Sequence, residues 1–205
     1  MNLFESCGGR EDHPAYQQLA ASNLDRQYDF LRASVEAAMA IQQPVISHAL
    51  IKALNFHAIA CLHSAAGEYR PCPVGVGNHE PPAHWRVPDL MDAFVNDVNV
   101  RMATVDPVVL SAFVLWRMNW VHPFINGNGR TARATCYYVM CIANGGWLPG
   151  APILPELIED NRPEYYAALQ AADASIANGG QLNINLMHAL LSRLIAQQTQ
   201  APANP

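Results

Sequence analysis

The sequence predicts an all-α fold with one non-helical insertion, and three observations carry that prediction. Apolar residues recur at spacings of three to five along most of the chain. A run beginning at Pro107 is apolar on almost every side, as a buried central helix must be. Proline and glycine crowd into one stretch, 67–88, where the helical spacing stops. The chain of 205 residues has a one-domain length. With 51% hydrophobic and 14% charged residues it can build a core, which excludes disorder as its main state.

Residues 1 to 15 read as an irregular lead-in. From about Tyr16 to Gln43 the pattern is helical, with Leu19, Leu24, Tyr28, Leu31, Val35 and Met39 on spacing. Pro44 opens a second helix to about Ser64, carrying Ile46, Leu50, Leu54 and Ile59, and Gly67 breaks it. The stretch GEYRPCPVGVGNHEPPAHWRVP, with Val74 and Val76 two apart, predicts a short β-hairpin or extended flap. Its prolines confine any strand to an edge, where unpaired N–H and C=O groups can pair with an extended peptide; an ordinary surface connection is the alternative. Asp89 to Arg101 is amphipathic. Asp106-Pro107 is a helix start, with an N-cap acid and proline at the first helical position. That helix must end before Pro123, because the residue preceding proline is pushed out of the α region. A further helix runs to about Asn144 and is closed by Gly145-Gly146. A proline-rich connection follows to Leu157. Helices are predicted from Arg162 to about Ala177 and from about Leu182 to Gln198.

Composition narrows the function. The net charge of −5 argues against nucleic acid as the partner, which would need a basic stripe. The start MNLFESCGGRED lacks a basic and apolar leader, and the longest apolar run, Val108 to Trp116, is far too short for a bilayer. Neither a signal peptide nor a membrane span is expected. Five cysteines without a CxxC pair read as reduced thiols, so a cytoplasmic setting is expected, with secretion as an effector left open. The histidines in His79-Glu80-Pro81-Pro82-Ala83-His84 fail as a zincin helix on spacing and on the two prolines.

The segment from His122 to Arg133 carries the chemistry. Gly127-Asn128-Gly129 lies between two helices and opens the second, where successive N–H groups and the helix dipole favour an anion. Arg130 and Arg133 share a face of the first turn. Two guanidinium forks beside such amides suit a polyphosphate. His122, just upstream, is the side-chain type best suited to take a proton near neutral pH. A base beside a phosphate cradle suggests transfer of a phosphate-containing group onto a hydroxyl. Phe124 reads as a core anchor fixing the loop.

His122-Pro123-Phe124-Ile125-Asn126-Gly127-Asn128-Gly129-Arg130-Thr131-Ala132-Arg133 resembles the Fic-family signature HxFx(D/E)GNGRxxR. Gly67-Glu68-Tyr69-Arg70 with Pro81-Pro82 is similar to the family's flap region, and Asn161 to Tyr166 to its post-motif helix; the resemblance spans roughly residues 48 to 195. It implies an all-α Fic domain with a small β-hairpin flap beside the active-site loop. Residues 1–45 then form an N-terminal lead-in and helix, 46–198 the Fic-like domain and 199–205 a frayed tail. The implied activity is transfer of AMP from ATP to a Ser, Thr or Tyr hydroxyl of a target protein. By the same resemblance His122 is the general base, and Gly127, Asn128 (through its side chain as well) and Gly129 bind the phosphates. Arg130 contacts the β/γ-phosphates and orients the leaving group, Arg133 engages the γ-phosphate, and the flap clamps the target segment through Val74 or Val76.

The sequence departs from the signature at Asn126, where the family's acid holds Mg²⁺. An asparagine carbonyl is a far weaker ligand for a hard cation. Three consequences stay open: Mg²⁺ held mainly by the nucleotide, a different donor (UMP, GMP or a phosphocholine-type diester), or a catalytically weak binding module. The family's inhibitory pattern (S/T)xxxE(G/N) finds no good match. Ser64 with Glu68 is followed by Tyr69 and interrupted by Gly67. Control by a separate antitoxin-like partner, by oligomerisation, or no such control, remains open.

Overall fold

The structure, a computed structural model, describes residues 2–42, 44–77 and 79–200. Among these residues the chain forms nine α-helices, two 3-10 turns at His84–Arg86 and Ala177–Gly179, and no strand longer than an isolated bridge. The part of the frayed tail expected after residue 200 lies outside the described residues.

The apolar run from Pro107 forms the centre. Helix α5 (Pro107–Val121) starts where the Asp106 carboxylate accepts from the N–H groups of Val108 and Val109 at 2.9 and 3.1 Å. Leu110, Ala112, Val114, Leu115, Met118 and Val121 along it are buried. It packs against α6 (Asn128–Ala143), whose Cys136 and Cys141 are fully buried as small apolar groups. Helices α4 (Val87–Arg101), α8 (Arg162–Ile176) and α9 (Asn185–Gln200) surround this pair. No helix among the described residues is long and apolar enough to cross a membrane.

The long N-terminal helix α2 (Pro14–Ile41) docks on α3 (His48–Ile59) and α6. Leu31, Val35 and Ala38 on it join the main core, but its buried face also carries two amides. Asn23 Nδ2 donates to the Ala60 carbonyl and Gln27 Nε2 to the Leu54 carbonyl, each at 2.9 Å. Buried amides of this kind fix a helix in register, because a shifted one would leave a donor unsatisfied. The lead-in is anchored too. Helix α1 (Leu3–Ser6) donates its Leu3 and Phe4 N–H groups to the Cys61 and Leu62 carbonyls.

Three expectations are corrected. The second helix starts at His48, not Pro44, because the Ser47 hydroxyl caps it by accepting from Leu50 N–H at 3.1 Å, and it stops at Ile59. The proline-rich connection before Leu157 contains helix α7 (Leu154–Asp160), begun by the Glu156 carboxylate accepting from Ile153 N–H at 2.9 Å, with Pro155 tolerated in the first turn. The flap is not a β-hairpin among the described residues. It has a single bridge, Val76 to His79, and a second bridge joins Tyr69 to Phe124 of the motif loop. Prolines 71, 73, 81 and 82 supply no N–H for a ladder, so side chains must hold the segment.

Candidate active site

His122 ends α5 in the left-handed conformation, at φ 50 and ψ 60, and its N–H closes on the Met118 carbonyl at 2.9 Å. This turns the imidazole out of the helix and into the wall of a pocket. Its Nδ1 is buried without a hydrogen-bond partner among the described residues. Burial pushes its pKa down to about 4; His79 and Arg70 act in the same direction, against a raising influence from the Asn119 backbone. The imidazole is therefore neutral at physiological pH.

The motif loop is held closed from inside. Asn128 Oδ1 accepts from Phe124 N–H at 2.9 Å and its Nδ2 donates to the Phe124 carbonyl at 2.8 Å. Both amide atoms of Asn128 bond to Phe124, and the residue is only 3% exposed. The side chain thus braces the loop, with the second Nδ2 N–H and the backbone N–H at the start of α6 left as its donors on the pocket side. Phe124 is fully buried beneath the loop. Gly127 sits at φ +73, and an added Cβ would lie 2.7 Å from Ile59 Cγ2 and 3.1 Å from Asn55 Nδ2. Gly127→Ala meets both a backbone and a packing penalty, so it is expected to lower unfolding free energy by about 3 kcal/mol in urea titration. An unchanged midpoint would mean that the loop relaxes freely.

Asn55, on α3, is the hub the sequence did not reveal. Fully buried, it donates from Nδ2 to the Asn126 carbonyl at 2.9 Å and to Thr131 Oγ1 at 3.2 Å, and its Oδ1 accepts from Gly67 N–H at 3.0 Å. One side chain therefore registers the motif loop, α6 and the entrance to the flap.

The two motif arginines have different settings. Arg130 Nη1 donates to the Ala58 carbonyl at 2.8 Å and Nη2 to Asn126 Oδ1 at 3.3 Å. Burial lowers its pKa, offset in part by Tyr16. Arg133 Nη2 meets Glu159 Oε2 of α7 at 2.6 Å, and Glu159 also pairs with Arg162. An anion reaching Arg133 must share it with, or take it from, Glu159. Asn126, where the signature has an acid, donates from Nδ2 to Glu11 Oε1 at 2.9 Å. A carboxylate thus reaches this position from the N-terminal segment, 115 residues away in sequence.

The flap is fastened by Arg70 and His79. Arg70 donates from Nε to the His122 carbonyl at 2.7 Å, from Nη1 to Cys72 O at 3.2 Å, and from Nη2 to Pro82 O at 2.5 Å and Val121 O at 3.4 Å. His79 Nε2 lies 2.9 Å from the Trp120 carbonyl, and Nδ1 lies 3.5 Å from Asp173. The fastened segment brings Val76 into the pocket lining, while the half-buried Val74 lies outside that lining.

The pocket these parts enclose has a volume of about 760 Å³, ample for a nucleotide. The structure brings His122, Asn126, Gly127, Asn128, Gly129, Arg130, Arg133 and Val76 to one cavity. It adds Glu11, Tyr16 and Tyr28 from the N-terminal segment, and Glu156, Glu159, Asp160, Arg162 and Tyr166 from α7 and α8. No local spacing signalled the carboxylates, because they arrive from elements far apart in sequence. The four carboxylates outnumber the three guanidinium groups in the lining.

Comparison with known proteins gives a consistent picture. Residues 45–140 match the model of the Fic/DOC family. The protein adenylyltransferase fic-1 of Caenorhabditis elegans is 35% identical over 109 residues, 53% of this chain and 20% of that protein. The protein adenylyltransferase Fic of Aedes aegypti is 34% identical over 109 residues, 52% and 20% of the two chains. The matched segment is thus about a fifth of the length of these curated relatives. Among solved structures, a Fic-1 fragment from C. elegans superposes with a TM-score of 0.73 at 22% identity, over 97% of this chain and 54% of that one. A Fic-domain signaling protein from Bacteroides thetaiotaomicron gives 0.72 at 21% identity, over 96% and 76%. At these identities the superpositions speak for the fold alone. The signature is thus assembled on a fold shared with Fic-domain structures, inside the segment, residues 45–140, that matches the Fic/DOC family.

Proposed function

We propose that this protein is a Fic-type protein adenylyltransferase that moves AMP from ATP to a Ser, Thr or Tyr hydroxyl of a target protein. The observation that carries this reading is a buried, neutral His122 turned into a nucleotide-sized pocket beside the N-terminus of α6 and Arg130. His122 takes the proton from the target hydroxyl as its oxygen attacks the α-phosphorus. A P–O bond forms, the bond from the α-phosphorus to its bridging oxygen breaks, and pyrophosphate leaves with that electron pair. The first-turn N–H groups of α6 and the Arg130 guanidinium stabilise the charge that develops on the phosphates. Arg130 is held by Ala58 before the nucleotide arrives, so little reorganisation is needed during the reaction. The loop from Cys72 to Pro82, with Val76 on the pocket side, would receive the target segment.

A magnesium ion would neutralise phosphate charge here; no group of three or more His, Cys, Asp or Glu that could hold a metal occurs among the described residues, so the nucleotide phosphates and water would supply most of its ligands. Such an ion takes hard oxygen ligands from one or two carboxylates, with the rest from phosphates and water. Glu11 would supply the one protein carboxylate beside Asn126, whose own amide oxygen faces Arg130. In calorimetric titration, Mg²⁺ is expected to tighten ATP binding to the wild-type protein, and Glu11→Gln to remove roughly 10-fold of that gain. If Glu11→Gln instead tightens ATP binding with and without Mg²⁺, Glu11 competes with the phosphates and is no ligand.

Asn126 supports a second reading, a donor that needs no such ion, such as a UMP, GMP or phosphocholine-type donor. Intact-mass spectrometry separates the two. The protein is incubated with Mg²⁺ and each donor in turn, alongside His122→Asn. A gain of one AMP that is absent in the variant supports the first reading. A gain from another donor supports the second. No gain from any donor, with the protein alone or with a proteome as target, would overturn both.

A further inference from the structure

The buried guanidinium of Arg70 has no carboxylate partner among the described residues, and the chemistry above does not use it. At 3% exposure it is covered, and burial lowers its pKa. Buried cations normally face an acid; this one faces main-chain carbonyls only. The four acceptors fall into two sets. His122 O at 2.7 Å and Val121 O at 3.4 Å belong to the end of α5, where the left-handed turn aims the imidazole. Cys72 O at 3.2 Å and Pro82 O at 2.5 Å are the two roots of the flap, ten residues apart. The Arg70 N–H also donates to the Pro123 carbonyl at 2.8 Å, so main chain and side chain together grip residues 121–123.

We propose that Arg70 is a positioning residue that sets the base His122 and the target-receiving loop as one unit, through a single planar group. The proposal rests on the transferase reading. The segment from Cys72 to Pro82 has no strand ladder among the described residues to fix its position relative to His122; His79 ties it at one point to the Trp120 carbonyl, and Arg70 ties both of its roots. The guanidinium is planar and fixes its donors in a fork, so the loop roots and the His122 carbonyl hold a set separation. A lysine carries the charge but not the fork. Nucleotide binding is anchored separately, by Asn128 on Phe124 and by Arg130 on Ala58, and does not depend on this fork.

The test is Arg70→Lys, read four ways. Helix content is expected to persist by circular dichroism, and ATP affinity to stay within about 3-fold of wild type. Turnover of a target peptide is expected to fall about 100-fold, as displacement of a reacting group by an ångström would cause. The His122 imidazole, followed by NMR in the nucleotide-free protein, is expected to titrate at higher pH as the ring loses its buried seat. A fourth measurement needs no variant: in the wild-type protein the Arg70 Nε–H should exchange with solvent as slowly as the amides of α5. Wild-type turnover in Arg70→Lys, turnover falling only in step with ATP affinity, or fast exchange of the Nε–H would each overturn the proposal. If the wild-type protein itself transfers nothing, the transferase reading fails, and the titration and exchange measurements still decide the role of Arg70.

Discussion

Replacing His122 by asparagine is expected to lower target modification at least 10³-fold while leaving ATP affinity within a few-fold of wild type. Asparagine is the informative substitution because residue 122 sits at φ 50, a conformation that asparagine tolerates and most side chains resist. The α5 terminus and the Arg70 contact to its carbonyl are then retained, and what is lost is the base. Burial has already set the pH behaviour. With a pKa near 4 in the free protein, the neutral base persists well below pH 6.5, so the acid limb of kcat/KM is expected near pH 4 to 5. A bound polyanion favours the imidazolium, so the limb of kcat is expected at higher pH. The same depression links to stability. The unfolded chain binds a proton near 6.5 that the folded chain refuses, so stability is lost as pH falls from 6.5 towards 4. That loss amounts to about 3 kcal/mol and is absent in His122→Asn. An acid limb unchanged by the substitution, or transfer that survives it, would remove His122 from the chemistry.

Arg130→Lys is expected to cost 10³-fold or more in turnover and about 10-fold in ATP affinity, measured by single-turnover labelling and calorimetry. The size of the effect follows from the fork. One arm is tied to the Ala58 carbonyl and the other reaches Asn126, so the guanidinium is already aimed when a phosphate arrives. An ammonium cannot hold both contacts and face a phosphate at the same time. Arg133 should matter less, because Glu159 at 2.6 Å offsets its charge. Equal losses at the two positions would mean that the Glu159 pair opens freely when nucleotide binds. An Arg130→Lys protein with intact ATP affinity and turnover would show that the phosphates bind elsewhere.

Much of this molecule was legible in one dimension. Helices α2, α5, α6, α8 and α9 follow from spacing, from Asp106-Pro107 and from the glycines after Asn144, because these signals act within a turn or two of the chain. The signature was legible for the same reason: a loop that opens a helix must keep its glycines and arginines at fixed offsets. Misjudged elements were those in which a side chain overrode a local prior. Ser47 capped α3 four residues later than Pro44 suggested, and Glu156 started α7 inside a proline-rich run. The flap was misjudged because its order comes from Arg70 and His79, not from strand pairing.

The sequence by itself determined the helical class and the position of the motif turn that carries His122, Arg130 and Arg133. Only the tertiary structure decided what those groups meet. Glu11 against Asn126, Glu159 against Arg133, Asn55 under the loop and Asn128 turned inward to Phe124 are pairings that no offset along the chain encodes. The physical reason is range. Helix formation and capping are settled by neighbours three or four residues apart, whereas the charge and solvation of a site depend on every element that packs around it.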